Sequence, residues 1–579
     1  MSGVLVGVAC SDDPVSPSSR SVTPTTDYEV ELESFWGGVY ASWGRSATDF
    51  YAASDMIVHF DGTTWSLMPL PLEPSRIRGG TLLANGESVF WDYDRVYRSN
   101  GSAWDYITAP SDWTAISVLP SGEVFACDYD GVVHHHDGVT WSSETVAPGD
   151  GNLRGIDAAS ADDVFVVGRY GVIAHYDGTA WTTLHVDSTL YLNNIWTSPD
   201  GVAYTVAGVG KLSYFDAVLD SLIAVGPDSV YAYDLCGNGN RLYMYGRDSQ
   251  NAIYSSGGQS WTRTPMAARS SDDLAWGTPD GVVFMTGYYG LWKAGPAGTE
   301  RVLGSEDFSS VPDPARITAA WTSPEGRVFA VGTGARRLDG NAWVDLNKQA
   351  ITDLPVTAIH GSADDDVWAV GNGMILHYDG HAWTWVNGAF QRYLHDVWTD
   401  GRIVLAVGDN GAILSFNGNG WELAQSPTTR SLIAISGWNG GAVAVGESGT
   451  VLRSDGLRWS AVPSPVDWSL YDVAAFGPQR MLAVGDNPRV VLEYRSGTWT
   501  SRTIDSYVSH GLNGSMCLVA NGMDDYYVGQ YGGDIHHFDG TSWTYLPRAT
   551  MRAIYSIALA PGGDLYAVTT QALLRYRRR

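Results

Sequence analysis

The chain has 579 residues, 44% of them hydrophobic and 17% charged, with 67 Gly, 24 Trp and a formal net charge of −28. That apolar content builds packed cores and excludes a disordered chain. The acidic balance repels phosphate backbones and disfavours nucleic-acid partners. Four cysteines, at 10, 127, 236 and 517, are too few for a disulfide framework and sit at no metal-ligand spacing.

The first ten residues form an apolar run ending in small residues and Cys10, followed by a Ser/Pro/Thr-rich stretch from Ser11 to Thr26. The pattern is similar to the end of a bacterial lipoprotein signal, which implies export and a lipid anchor on Cys10. It departs from that pattern in having no basic lead segment, a short apolar run, and Gly7 where a Leu-like residue is usual. Residues 1–26 are therefore expected to be a signal remnant and flexible tether. The expected location is the bacterial cell envelope, as an outer-membrane lipoprotein or in the periplasm, or the medium. No later segment reaches the ~20 apolar residues that span a bilayer.

From Tyr28 onward the chain repeats. A Trp preceded by Asp-Gly or a close variant returns as Trp65, Trp104, Trp141, Trp181, Trp261, Trp343, Trp383, Trp421, Trp459, Trp499 and Trp543. The spacing is ~40 residues with two double gaps, and such a period means stacked or radially arranged units. The clearest copy, 356–386, holds four short β-rich runs: Val356–His360, Val367–Val370, Met374–Tyr378 and Ala382–Val386. Gly, Asn and Asp bound each run, so the unit reads as an antiparallel four-stranded meander, one propeller blade. No stretch carries a sustained helical period.

The double gaps hold degenerate units, with strands at Leu192–Thr197, Val202–Ala207 and Lys211–Phe215, then Asp273–Gly277, Val282–Thr286 and Gly290–Lys293. The C-terminus stops after three strands: Ile554–Leu559, Asp564–Val568 and Ala572–Tyr576. Two orphan strands, Tyr28–Glu33 and Thr299–Gly304, are each expected to complete the ring that they precede. The fold class is thus all-β, two tandem seven-bladed β-propellers of four-stranded antiparallel blades, at 27–298 and 299–579. Closure removes the sheet edges that would otherwise aggregate. The basic tail from Arg575 to Arg579 reads as a frayed, solvated end.

The Asp-Asp-Val-Trp-Ala-Val-Gly…His-Tyr-Asp-Gly-x-x-Trp unit resembles repeats of bacterial exported β-propeller proteins, often lipoproteins. Its third hairpin, as in Ser454-Asp455-Gly456-Leu457-Arg458-Trp459, looks like a shortened Asp-box of sialidase-like propellers. A looser similarity is to tectonin-type lectins. These likenesses specify fold and leave chemistry to be argued from a site.

No Gly-x-Ser-x-Gly elbow, phosphate-cradling Gly loop or His-Glu-x-x-His motif is present, so no cofactor, no metal and no catalysis are expected. His59, His135, His175, His377 and His537 all precede the Asp-Gly turn by two residues. They lie on third strands of separate blades, too far apart to share an ion. The acidic pairs at Asp162, Asp364 and Asp524 recur in the first turn and read as turn chemistry.

Function is expected on the loops from each outer strand to the next inner strand, which gather around the axis. These offer Arg76, Trp113, Arg154 and Tyr191 in the first half. The second half offers Arg392, Tyr393, Arg430, Trp468, Tyr471, His510 and Arg552. Aromatic and basic groups of this kind suit a glycan or a protein surface. The chain is therefore expected to be a monomeric, non-enzymatic binding scaffold, with a tectonin-like lectin or a sialidase-like hydrolase as the other readings.

Overall fold

The computed structural model describes residues 27–579, apart from 36–37, 69, 71–76, 100–103, 148–151, 186–187, 208–209, 217–220, 228–229, 240, 249, 257–259, 267–272, 279–280, 288–289, 296–297, 304–316, 333, 340–341, 347–355, 387–391 and 505–513. Among the described residues the only helical pieces are single 3-10 turns at Asp409–Gly411 and Glu447–Gly449. Everything else regular is strand, in fourteen four-stranded antiparallel sheets. Blades 1–7 run from Ala41 to Leu303, and blades 8–14 from Ile317 to Arg578.

Side chains near the axis show that both rings close. In a propeller the innermost strand of each blade is an edge, and its free N–H and C=O groups need partners. In the second ring every junction between blades has one. Thr318 Oγ1 donates to Val356 O (2.5 Å), Thr357 Oγ1 to Leu394 O (2.7 Å), and Ile435 N–H to Asp396 (2.7 Å). Ala475 N–H then donates to Ser436 Oγ (3.1 Å), Leu518 N–H to Asp472 (2.7 Å), and Cys517 Sγ to Ile554 O (3.2 Å). Ala320 N–H to Ser556 Oγ (3.3 Å) returns from blade 14 to blade 8.

The first ring closes the same way with different residues. Its junctions are Trp43–Ser88, Arg78–Trp113, Ser117–Ala158, Asp157–Thr197, Asn194–Asp234, Asn238–Gly277 and, back to blade 1, Trp276–Ser42. Val39 N–H to Gly287 O (2.9 Å) adds a backbone link across that last junction. Stapling with carboxylates has a cost. Burial pushes Asp396 up to about 8, with the charge of Asp472 adding to it, and pushes Asp472 to about 7 and Asp157 to about 6.

The strands that complete the rings differ from the sequence expectation. Gly298–Leu303 pairs with Gly290–Gly295 as the ordinary outer strand of blade 7. A tight hairpin to the preceding strand costs far less closure entropy than a return from the far side of another ring. Tyr28–Phe35 instead pairs with Ala572–Arg578 and completes blade 14, from Tyr28 opposite Arg578 to Phe35 opposite Ala572. The first ring is therefore an insertion between the outer strand of blade 14 and the rest of the second ring. This pairing also overturns the frayed basic end. Arg577 Nη1 meets Glu31 at 2.7 Å, and Arg575 Nη2 meets Asp564 at 2.6 Å. Tyr28 is 5% exposed and its hydroxyl lies 2.7 Å from that of Tyr527 on blade 13.

The repeated residues have structural roles. Outer-strand Trp rings span blades: Trp421 lies 5.7 Å from Trp368, while Trp261 and Trp499 donate to Val225 O and Pro463 O. Asp61, Asp177, Asp379, Asp455 and Asp539 cap the third hairpin by accepting backbone N–H groups two and three residues on. The recurring histidines stack on second-strand rings: His175 on Phe165 at 4.0 Å, His377 on Trp368 at 4.1 Å, His537 on Tyr527 at 4.1 Å. Their Nε2 atoms bond Asp163, Asp366 and Asp525 at 2.8–3.0 Å. One acid of each first-turn cluster thus anchors the third-strand histidine, a role beyond turn chemistry.

Candidate functional site

Most residues expected to meet a ligand are engaged in the fold. Arg76, His510 and Cys10 lie outside the described residues. Trp113 is corrected outright: it is 3% exposed, donates its indole N–H to Asp92 O (2.9 Å) and fills the core between blades 2 and 3. Trp468 packs half-buried against the core between blades 11 and 12. Tyr471 donates to Asp486, and that bond, with burial, pushes its hydroxyl up to about 12. Arg430 donates to Ser448 O (3.1 Å). Arg392 accepts the Gly373 N–H through its carbonyl (2.9 Å), and Tyr393 bridges Asn372. The Tyr393 ring lies 5.0 Å from His395, whose Nε2 meets Asp409 at 2.8 Å.

Arg552 joins the two rings. Its Nε lies 2.6 Å from the buried Asp55 carboxylate on blade 1. Met551 N–H donates to Asp55 O (2.8 Å), Leu70 N–H to Arg548 O (3.1 Å), and Ser54 Oγ to Gln571 (3.2 Å). All of these groups sit on loops from outer to inner strand or from second to third strand. The two loop-bearing faces therefore meet at one edge, at blade 1 on one side and blades 13 and 14 on the other.

On the first ring that face carries a series of exposed tyrosines. Blades 2 and 3 repeat the sequence Asp-Tyr-Asp in their second-to-third turns, as Asp92-Tyr93-Asp94 and Asp128-Tyr129-Asp130. The first Asp of each is buried and caps the turn. Asp92 accepts the N–H groups of Asp94 and Arg95, and Asp128 those of Asp130 and Val132. Capping turns the tyrosine outward: Tyr93 is 45% and Tyr129 54% exposed. An arginine supports each ring, with Arg78 4.9 Å over Tyr93 and Arg154 4.9 Å over Tyr129.

Blade 4 continues the series. Tyr170 sits in its turn at φ 58°, a left-handed conformation costing a non-glycine residue ~1 kcal/mol. Its ring lies 6.3 Å from that of Tyr191, over which Arg169 stands at 5.6 Å. Tyr231 and Tyr233 on blade 6 are also exposed, with rings 5.3 Å apart.

A buried network holds the blade 3 turn in place. Asp128 Oδ2 takes Ser111 Oγ (3.2 Å) and His134 Nε2 (3.1 Å), and His134 Nδ1 meets Ser143 Oγ (2.8 Å). Burial would raise the Asp128 carboxyl, but the bonds from Val132, His134 and Asp130 outweigh it and hold it low. Asp94 behaves oppositely. Burial, with the charge of Asp92 and a smaller push from Asp112, holds its carboxyl above the usual range against the pull of Arg95. Tyr93, Tyr129 and Asp94 were missed from sequence, although the Asp-Tyr-Asp repeat at equivalent turns was a readable signal. Arg154 and Tyr191, expected from sequence, do belong to this face, as do Tyr170 and Asp130.

No protein-family model and no curated protein matches the chain. Solved structures do. A GH74 enzyme of Niastella koreensis is 13% identical, covering 96% of this chain and 99% of its own, with a TM-score of 0.64. PorZ of Porphyromonas gingivalis, described as an essential bacterial surface component of the type-IX secretion system, is 12% identical. It covers 94% of this chain and 86% of its own, with a TM-score of 0.62. Both are bacterial proteins sharing the architecture over nearly the whole chain. A glycoside hydrolase built on this architecture runs against the expectation of a non-enzymatic scaffold, while the likeness at 13% identity itself shows the fold alone. That expectation rested on the lack of a local catalytic motif. An enzyme that draws single carboxylates from separate blades leaves none, because its site assembles only in the ring.

Proposed function

We propose that the chain acts on extracellular polysaccharides, holding an extended glycan across the tyrosine face of the first ring and hydrolysing it there. The observation that carries this reading is the pair of Asp-Tyr-Asp turns on adjacent blades. Each sets an exposed aromatic platform beside a carboxylate that is not consumed by turn capping. Tyrosine faces backed by arginine suit the apolar faces of successive sugar rings, and Tyr170 and Tyr191 extend the track. Glycoside hydrolysis needs two carboxyl groups, one protonated to donate to the leaving oxygen and one ionised. Asp94, held high by burial and Asp92, fits the acid, and Asp130, at the same place in the turn of the next blade, is the candidate for the second carboxyl. Export, and tethering through Cys10, belong to the same reading, since the substrate lies outside the cell.

Reducing ends released from a panel of neutral polysaccharides test it. Asp94→Asn should abolish release while leaving binding within about twofold. Tyr129→Ala should weaken binding at least tenfold without changing thermal stability by more than a degree or two. Binding without any release would remove the hydrolytic half of the proposal, and release unaffected by Asp94→Asn would remove the assignment of the acid.

A further inference from the structure

The opposite face of the second ring holds a cavity of about 620 Å³, lined by the first-to-second turns of blades 8, 9, 10, 13 and 14. That volume lies in the ~300–1,000 Å³ range of small-molecule sites, which pair aromatic walls with a few polar groups.

The repeat itself makes the cavity lopsided. Strand pairing puts Ile317, Val356, Leu394, Leu432, Leu470, Ser515 and Ile554 at one equivalent position. Four residues further on stand Trp321, His360 and Trp398 in blades 8–10, but Ser436, Ala474, Val519 and Ala558 in blades 11–14. Around the ring this position therefore carries large side chains on one side and small ones on the other, and Trp321 and His360 line the cavity. The rings run in sequence, His360 lying 5.7 Å from Trp321 and 6.3 Å from Trp398. Packing explains the two tryptophans, which wedge against Gly361 and Gly437 of the next blade. It does not explain a histidine between them.

His360 has one structural bond, accepting Thr399 N–H on Nδ1 at 3.3 Å. That acceptor role fixes the neutral tautomer with its hydrogen on Nε2, and burial, which lowers the ring to about 4, keeps it there at neutral pH. His360 lines the cavity, so its Nε2–H is a donor with no protein acceptor among the described residues. Around it the lining supplies both signs of hydrogen bond: Asp400 and Ser362 accept, while Asn521 and Arg578 donate. One cation beside one carboxylate gives no phosphate trap. A hydroxylated ring with an apolar face matches both the mixed polar rim and the aromatic wall.

We infer that this funnel is a second ligand site, taking a single neutral sugar unit stacked on Trp321 and hydrogen-bonded through His360 Nε2–H. It is independent of the tyrosine face and lies on the opposite side of the ring from the loops that meet the first ring. Such a site would hold a chain end or a soluble product sugar rather than a chain passing through.

Saturation-transfer NMR on the full chain with neutral hexoses, N-acetylhexosamines and their disaccharides finds the ligand, and calorimetry measures it. His360→Phe keeps a ring in the wall but removes the donor, and should weaken binding at least tenfold. Asn521 is exposed at the rim, so Asn521→Trp plugs the mouth without touching the core and should do the same with an unchanged melting temperature. Tyr129→Ala should leave this binding intact, which separates it from polysaccharide binding on the first ring. Absence of any binder in the panel, or wild-type affinity in both His360→Phe and Asn521→Trp, overturns the inference.

Discussion

The N-terminal strand should be the clasp of the second ring and irrelevant to closure of the first. Tyr28 is its strongest anchor, 5% exposed, edge-on to Tyr527 at 6.5 Å between ring centroids, with the two hydroxyls 2.7 Å apart. Truncating a buried aromatic to Ala costs roughly 3–5 kcal/mol. The lost hydroxyl contact adds about 1 kcal/mol, because the buried Tyr527 oxygen loses its partner. Against a stability of ~5–15 kcal/mol for a domain, that total threatens the ring. For a unit of this size ~1 kcal/mol moves a melting temperature by ~2–4 °C, so Tyr28→Ala should lower the second ring's transition by about 8–24 °C. Hydrogen exchange read by mass spectrometry assigns the effect. Peptides spanning Ala572–Arg578 should lose protection, while those spanning Gly290–Gly295 and Gly298–Leu303 keep theirs. Loss of protection at Gly290–Gly295 instead would refute the pairing and restore closure of the first ring by this strand.

Further outcomes follow from the same geometry. Asp396 and Asp472 are held above their unfolded values, so the folded state binds more protons than the unfolded one between about pH 4 and pH 8. Their contribution to stability is thus full below the unfolded value near pH 4 and is lost as pH rises toward about 8. Denaturant midpoints should fall across that window, and a flat profile would contradict the stapling geometry. A methyl at Gly361 would lie 2.7 Å from the Trp321 ring and 2.6 Å from Asp366 O, so Gly361→Ala should cost ~1–3 kcal/mol, measured by urea unfolding. His377→Ala removes the imidazole between Trp368 and Asp366 and should lower stability by ~1–2 kcal/mol without affecting polysaccharide release. Arg552→Ala leaves the buried Asp55 carboxylate without its cation and should loosen the contact between rings, seen as faster exchange at Met551 and Leu70.

Blade count and strand order were legible because each unit writes its own hairpins: Asp-Gly before Trp, paired glycines after the second strand, four short β-rich runs. Ring closure was legible only in number. Choosing which strand completes which blade requires knowing what lies beside Ala572–Arg578 in space, and Tyr28–Glu33 looks the same from sequence in either ring. Loop residues fared worst. Trp113 and Trp468 lie on the axial loops, as their spacing implies, and Tyr471 stands at the start of the inner strand Leu470–Gly477, but burial and local partners decide whether such a side chain faces a ligand. Tyr93 and Tyr129 sit in short second-to-third turns whose sequence does not say which side chain faces outward. Their exposure depends on Asp92 and Asp128 bonding inward, which only the folded turn displays. Ser117 and Asp157 likewise bond across blades through positions that carry no motif in either one.

The most direct test of the account is a crystal structure of the protein with a neutral hexasaccharide from whichever polysaccharide it degrades or binds. The account predicts density running over Tyr93 and Tyr129 toward Tyr170 and Tyr191, with a glycosidic oxygen within hydrogen-bonding distance of Asp94. An oligosaccharide lying only on the loops of the second ring, beside His395 and Tyr471, with the first ring's tyrosines bare, would contradict it.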